Sequence, residues 1–407
     1  MSTEPPLLPF MRGVAFDAVP SPRIGLIGAG GRGRGLLHDL LAVPGARVTA
    51  VADPWAPGRE KADAMIRDRG HAPARLLDDP HELVALPDVD LVLVASRWDD
   101  HVPHAVAAME AGKHVAVEVP AATTLADCWR LVDTSERTRR HCILLENCCY
   151  GWQEMLALNL IRAGLLGELT HAEAGYVHDL RDVLFEDASE GLWRREPHRT
   201  RNANHYPTHG LGPVAFYLDI HRGDRFTRLI SMSSQPAALA DWRGRNVPEG
   251  DPKHAERYVC GDMNSSLIQT ARGRTVLLQH DVATPRPYTR LNLVQGTRGA
   301  ISDYPPRIHV DGRTPGHDWE PLGGYREFED ALWTRAGRSA QEQGGHGGMD
   351  YLMLLDLVET LQRGDVPRID VYDAAAWSAP YELSERSVAG GNVPVEFPDF
   401  TRGRWGS

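Results

Sequence analysis

Cysteine is scarce. Five occur in 407 residues, with Cys148 and Cys149 side by side, and they do not form a framework of paired disulfides. Placed just after a strand, Cys148 and Cys149 read as buried structural thiols before nucleophiles. No H-E-x-x-H or C-x-x-C spacing is present, so no metal is expected. No apolar run approaches the ~18 residues that a membrane span needs. The first residues, Met-Ser-Thr-Glu-Pro-Pro-Leu-Leu-Pro-Phe, lack the basic start and apolar core of a signal peptide, so a cytoplasmic location is expected. Positive charge is in deficit: 44 Lys and Arg stand against 55 Asp and Glu, a net charge of −11, and no basic block offsets it. That argues against nucleic acid as a partner and leaves a small molecule as the expected one. Internal repeats and low-complexity tracts are also missing. What remains is 42% hydrophobic and 24% charged, ordinary for a globular protein, and long enough for two domains that each bury a core.

The stretch from Ile24 to Asp53 organises the chain. A short apolar run ends at Gly28, and Gly30 and Gly33 complete G-x-G-x-x-G. In such a loop the first glycine allows a tight strand-to-helix turn. The second admits a pyrophosphate to the backbone, and the third lets helix and sheet pack closely. The phosphates would meet free N–H groups at a helix start, where the dipole favours anions. Asp53 ends the next strand about 20 residues past the last glycine, where an acid holds a ribose hydroxyl. An acid there repels a 2′-phosphate, so NAD is expected rather than NADP.

From Arg23 to about Asn147, strand and helix patterns alternate. Asp90–Ser96 is a continuous apolar run, as a strand buried on both faces should be. Helices follow over 56–69, 101–111 and 125–139, and strands over 114–118 and 142–146. The pattern predicts a doubly wound parallel sheet of the Rossmann type, which binds ligands outside the carboxyl ends of its strands. Trp98 to His101, Glu118-Val119-Pro120 and Glu146-Asn147 stand at those ends. After Tyr150 come a helix over 154–162 and β-like runs over 168–177, 226–233, 265–270, 275–282 and 290–294. They predict an α+β domain with a mostly antiparallel sheet. A polar insertion over 182–204 interrupts it, and the glycine-rich loop Gly344-Gly-His-Gly-Gly348 leads into a helix over 349–362. The expected division is a loose, proline-rich N-terminal arm (1–22), an NAD-binding Rossmann domain (23–147) and a substrate domain with a C-terminal helix and tail (148–407). An open sheet face in the second domain would suit a homo-oligomer.

The densest polar constellation is Tyr176-Val-His-Asp179, Trp193-Arg-Arg195 and Asn204-His-Tyr-Pro-Thr-His-Gly210. Tyr206 and His209, three apart, share a face on a helical turn. A tyrosine and a histidine so placed can move protons on and off a sugar carbon and its hydroxyls. Tyr176, Arg194 and Arg195 can orient substrate hydroxyls. The bland alternative makes His205 and His209 satisfied hydrogen-bonding residues of a loop.

The glycine fingerprint, the strand end Glu118-Val-Pro120 and the following β domain resemble the glucose–fructose oxidoreductase-like (Gfo/Idh/MocA) family. Ala52-Asp-Pro54, Glu146-Asn-Cys-Cys-Tyr150, Tyr176-Val-His-Asp-Leu-Arg181, Arg201-Asn-Ala-Asn-His-Tyr-Pro-Thr-His-Gly-Leu-Gly-Pro213, Gly261-Asp-Met-Asn264, His280-Asp281, Pro285-Arg-Pro-Tyr288 and Gly345-His-Gly-Gly-Met-Asp350 resemble one branch, the NAD-dependent glycosidase family 109, typified by α-N-acetylgalactosaminidase. The likeness spans nearly the whole chain after Pro22. It implies NAD contacts, beyond Gly28, Gly30 and Gly33, from Gly31, Arg32, Asp53, Trp98, Asp99, Asp100, His101, Glu118, Val119 and Asn147. It implies substrate contacts from Tyr176, Arg195 or its neighbour Arg194, Tyr206, Pro207, Thr208, His209 and Tyr288. Many members of the wider family carry Glu-Lys-Pro, whose lysine serves hydride transfer. Val119 stands in the lysine's place, a departure that fits the glycosidase branch. The implied reaction oxidises the sugar at C3, eliminates across C2 and C1, adds water and reduces C3 again, with Tyr206 and His209 as the acid–base pair. The alternatives are an NAD-dependent sugar or inositol dehydrogenase and a non-catalytic dinucleotide sensor on the same fold.

Overall fold

The computed structural model describes residues 9–406. They form two compact units: one runs to Leu145 and takes in Ala336–Ala376, and the other joins Glu146–Arg335 to the segment from Trp377 onward.

The first unit is built on six parallel strands: β1 (Arg23–Ile27), β2 (Arg47–Ala52), β3 (Arg75–Leu77), β4 (Leu91–Val94), β5 (His114–Val117) and β6 (Cys142–Leu144), in the order β3-β2-β1-β4-β5-β6. β4 and β5 are buried at every position, because helices cover both faces. The order reverses between β1 and β4, the crevice where such sheets bind ligands. Gly28 and Ala95 follow directly on these two strands, so the glycine loop opens at that crevice.

The second unit carries nine strands: β7 (Leu169–Val177), β8 (Phe226–Ser233), β9 (Asn264–Thr270), β10 (Thr275–Asp281), β11 (Leu293–Gly296), β12 (Gly299–Ser302), β13 (Arg307–Val310), β14 (Glu320–Pro321) and β15 (Val395–Glu396), in the order β14-β13-β12-β11-β7-β10-β9-β8-β15. Only β7 and β10 pair in parallel, with His280 opposite Tyr176. This is the mostly antiparallel sheet that the β-like runs predict.

Two expectations need correction, and the polar insertion gains a form. The arm over 1–22 is not loose where it is described; its residues 1–8 lie outside the described residues. Met11 and Phe16 are buried, Met11 N donates to Tyr372 Oη at 3.0 Å, and Arg12 pairs with Asp370 at 2.8 Å. Apolar side chains spaced through a proline-rich stretch can anchor it without regular structure. The polar insertion over 182–204 is a chain of short helical turns, Arg181–Phe185, Ser189–Leu192 and Glu196–Thr200. The helix Met349–Arg363, assigned by its place in the chain to the second domain, packs on the first helix of the first unit, Gly31–Leu40. Its polar start contributes to this, since the buried Asp350 pairs with the half-buried Arg32 at 2.6 Å.

Candidate active site

In the first unit the three glycines meet different demands. Gly28 has φ 94°, and a Cβ there would lie 2.4 Å from Ala95 O. A Cβ on Gly33 would lie 1.9 Å from Gly28 O. The fold itself therefore requires both. Gly30 has nothing within 4 Å of a built Cβ, so the protein's own packing asks for no glycine there. A cradle for an approaching phosphate does ask for one. Gly30 caps the helix Gly31–Leu40 with no side chain, which leaves the orphan N–H groups of its first turn for an anion. Asp53 accepts from Ala29 N at 2.6 Å and from Trp55 N at 2.8 Å, so its carboxylate is fixed against the glycine loop. These residues fit a dinucleotide.

Around the loop, Arg32 spans two carboxylates. It reaches Glu118 Oε1 at 2.8 Å and Asp350 Oδ2 at 2.6 Å. Burial works against its charge, but Glu118 and Asp350 outweigh that and hold the guanidinium strongly protonated. Val119 is buried and joined to Pro120 by a cis peptide bond. The ring nitrogens of His101 lie 2.8 Å from Pro120 O and 3.1 Å from Ser96 O, so His101 ties together the ends of β4 and β5. Burial pushes its pKa down. Trp98 is buried at the start of the helix Trp98–Glu110, while Asp99 is exposed and Asp100 half-buried in its first turn. Asn147 belongs to the second unit, in the turn Asn147–Tyr150.

In the second unit the polar cluster forms because a helix sits unusually close to a strand. The helix Thr208–Tyr217 is buried at every residue. A Cβ on Gly210 would lie 2.4 Å from Gly175 N, and one on Gly212 would lie 2.8 Å from Glu146 Cγ. The two glycines let the helix lie on β7 and on the Glu146 turn. Tyr206, just before the helix, and His209, in its first turn, then meet Tyr176 at the end of β7. The ring centroids of Tyr206 and Tyr176 are 4.5 Å apart, those of Tyr206 and His209 4.8 Å, and those of Tyr176 and His209 5.3 Å. Pro207 and Thr208 are buried beneath them. Tyr288 joins from the edge, 6.4 Å from Tyr176, and accepts from Arg290 Nη1 at 2.9 Å.

The two candidate arginines part. The guanidinium of Arg194 lies 4.9 Å from the centre of the Tyr206 ring and pairs with Glu190. Burial opposes its charge, but Tyr176 and Glu190 hold it protonated. Arg195 turns away to Glu256 at 2.9 Å and Leu184 O at 2.6 Å, which places it outside the cluster.

Three further members of the cluster stand in stretches that the sequence singles out but to which it assigns no role. Glu146, fully buried, accepts from His209 Nδ1 at 2.7 Å and from Cys148 N at 3.1 Å. Burial raises its pKa, but His209 and these hydrogen bonds more than reverse that, so it remains a carboxylate. Nδ1 of His209 is thereby the donor, and Nε2 is the nitrogen left for chemistry. His178 lies 4.7 Å from Tyr176, and burial followed by the charge of Arg194 lowers its pKa to about 4. His280 pairs with Tyr176 across the strands, and burial pushes its pKa down. Glu146 was legible from its place at a strand end, and His178 and His280 from the motifs that hold them, but nothing local tied Glu146 to His209 or His280 to Tyr176. Ligand atoms of Glu146, Cys148 and His209 lie within 4.8 Å of one another. The 2.7 Å contact between His209 and Glu146 is nonetheless shorter than the ~3.3 Å edge of a zinc tetrahedron. Burial also raises the Cys148 thiol well above its ordinary range.

Residues 22–145 match the family described as "Oxidoreductase family, NAD-binding Rossmann fold", and residues 150–407 match "Glycosyl hydrolase 109, C-terminal domain". A glycosyl hydrolase family 109 protein of Solibacter usitatus is 53% identical over 402 residues, covering 97% of this chain and 92% of that one. Another, from Saccharopolyspora erythraea, is 49% identical over 400 residues, covering 97% and 86%. Among solved structures, levoglucosan dehydrogenase in complex with NADH and L-sorbose gives a TM-score of 0.71 at 18% identity, covering 93% of this chain and 100% of that one. The scyllo-inositol dehydrogenase of Lactobacillus casei, with NAD(H) and scyllo-inositol, gives 0.66 at 12% identity, covering 93% and 99%. These two share the fold. NAD is thus the cofactor of the Rossmann fold in the first unit, and the chain belongs to glycosyl hydrolase family 109, as an NAD-dependent glycoside hydrolase on an oxidoreductase fold.

Proposed function

We propose that the chain hydrolyses terminal α-N-acetylgalactosaminides by oxidation, elimination, addition and reduction, with Tyr206 and His209 as its acid–base pair. The observation that carries this reading is the hydrogen bond from His209 Nδ1 to the buried Glu146, with the His209 ring against Tyr206 and Tyr176 and Arg194 over the Tyr206 ring. Bound NAD supplies reversible hydride acceptance at C3 of the sugar, and the protein supplies the rest. A ketone at C3 acidifies the C2 proton, and a base then permits loss of the C1 substituent. Glu146 fixes the tautomer and orientation of His209, by the same logic as the carboxylate of a catalytic triad. Arg194 places a buried positive charge beside Tyr176 and Tyr206, where a phenolate or sugar enolate would develop negative charge. Tyr206 and His209 divide the protons at C2 and O3 between them, and Tyr288 closes the rim. No pair of carboxylates is needed, and glycosidases that use NAD stand outside that scheme. Val119 in place of a lysine argues against an ordinary dehydrogenase. The same reading assigns the open face of the second sheet, where Ile230 and Leu267 stand opposite each other, to a second copy of the chain.

The decisive experiment uses 4-nitrophenyl α-N-acetylgalactosaminide in D2O with NAD in catalytic amount. Nitrophenol should accumulate far beyond the NAD supplied, without net NADH absorbance, and the released sugar should carry deuterium at C2. Complete retention of hydrogen at C2 would mean direct displacement at C1 and sinks the mechanism. NADH rising in step with product, without nitrophenol, identifies a sugar dehydrogenase. An inert substrate, with another glycoside giving the deuterium signature, corrects the sugar alone.

A further inference from the structure

The loop before the helix Met349–Arg363 is strained. Gly344, Gly347 and Gly348 have φ of 86°, 69° and 96°, as glycines can. His346, between them, has φ 46°, a left-handed conformation that costs a non-glycine residue about 1 kcal/mol or more. A glycine at 346 would relieve that cost, so the position points to a use for the side chain. Its imidazole Nδ1 donates to Asp350 Oδ2 at 2.7 Å, and the same oxygen receives Arg32 Nη1 at 2.6 Å. The His346 side chain is 55% exposed, against 3% for Asp350, so much of the ring beyond Nδ1 is open to solvent. Arg32 lies within the phosphate-binding loop, the natural place for a phosphate-binding cation. Its charge is already matched by Glu118 and Asp350.

We propose that His346 is a cofactor-binding residue, an imidazolium braced by Asp350 whose outer ring N–H donates to the dinucleotide phosphates, while the N–H groups of Arg32 are taken up by Glu118 and Asp350. The inference rests on the NAD site alone and is independent of the glycosidase reading. The groups facing His346 are Asp350, Arg32 and Glu118, with Asp39 behind Gly345 and His38 on Asp39. The hydrogen bond to Asp350 raises the pKa of His346 above its ordinary value, burial opposes this, and the Asp350 carboxylate is itself held low. A raised histidine pKa means full charge below about pH 6.5, lost as pH climbs through the higher folded value. NAD should therefore bind more weakly as pH rises from 6 to 9.

The test is a titration of the full chain with NAD, ADP-ribose and adenosine, each competing with NADH fluorescence. His346→Asn and His346→Gly both accept the left-handed backbone and remove the charge. At pH 6 each should bind NAD and ADP-ribose about tenfold more weakly, the scale of one charge-assisted hydrogen bond, while adenosine is unaffected. The pH dependence between 6 and 9 should flatten. Wild-type affinity for NAD in both variants overturns the assignment. So does an equal loss for adenosine, which would report a general disturbance of the site.

Discussion

Neighbouring residues in this chain can have opposite roles. Arg194 and Arg195 are indistinguishable by composition, yet one lies over the Tyr206 ring and the other is bound to Glu256. Sequence could offer both and choose neither, because the choice depends on how the turn Ser189–Leu192 enters the short helix Glu196–Thr200. The proposed roles lead to a residue-scale prediction. Tyr206→Phe and His209→Ala should each lower kcat by about 10²-fold or more, the usual scale for a lost general acid or base. NAD affinity should stay close to wild type in both. Arg194→Lys should also reduce kcat, while Arg195→Lys acts on thermal stability with kcat nearly unchanged. Turnover within a few-fold of wild type in Tyr206→Phe and His209→Ala would make the cluster a structural one.

At the scale of elements, the buried stretch before β1 bears on pH stability. Phe16 packs edge-on against His114, at the start of β5, and against His141, just before β6. The two imidazoles stack at 5.3 Å, and His141 N donates to His114 Nδ1 at 3.1 Å. Burial lowers His114 to about 3 and His141 to about 4. Unfolded, both return to about 6.5. Above that value neither changes stability. As pH falls below it, the unfolded chain binds protons that the folded chain refuses, so stability declines until the folded values near 4 and 3 are reached. The pair should add up to about 2.7 kcal/mol per pH unit to the acid slope. Urea melts at pH 7.5 and pH 5 measure it. His141→Gln should remove roughly half of the pair's contribution, and parallel pH profiles in variant and wild type would refute the assignment.

At the scale of the whole molecule, the second sheet leaves apolar side chains on its open face. Ile230, Met232 and Leu267 are 38%, 60% and 46% exposed, more than single scattered residues would explain. Antiparallel sheets commonly leave one face to solvent, and that face is then usually polar. If a second copy covers it, wild type sediments as a dimer, and the double variant Ile230→Lys, Leu267→Glu sediments as a monomer that still binds NAD. A monomeric wild type at micromolar concentration would reject the surface. Among the described residues no helix is long and apolar enough to cross a membrane.

The sequence determined the features that rest on local rules. Glycine spacing, a buried parallel strand's continuous apolar run and an acid at a strand end each follow from short-range sterics and hydrogen bonding, so Gly28, Gly30, Gly33 and Asp53 were legible directly. Tyr206 and His209 were legible as neighbours because they stand three positions apart. Tertiary structure decided what depends on distant segments meeting. Asp350 reaches Arg32 across 318 positions, and His209 reaches Glu146 across 63. No periodicity records such pairs, because a buried charge is satisfied by whatever partner the packing of helix on strand brings within about 3 Å. The Gly344–Gly348 loop was visible as a loop, but only the docking of the helix Met349–Arg363 onto Gly31–Leu40 set His346 beside Arg32.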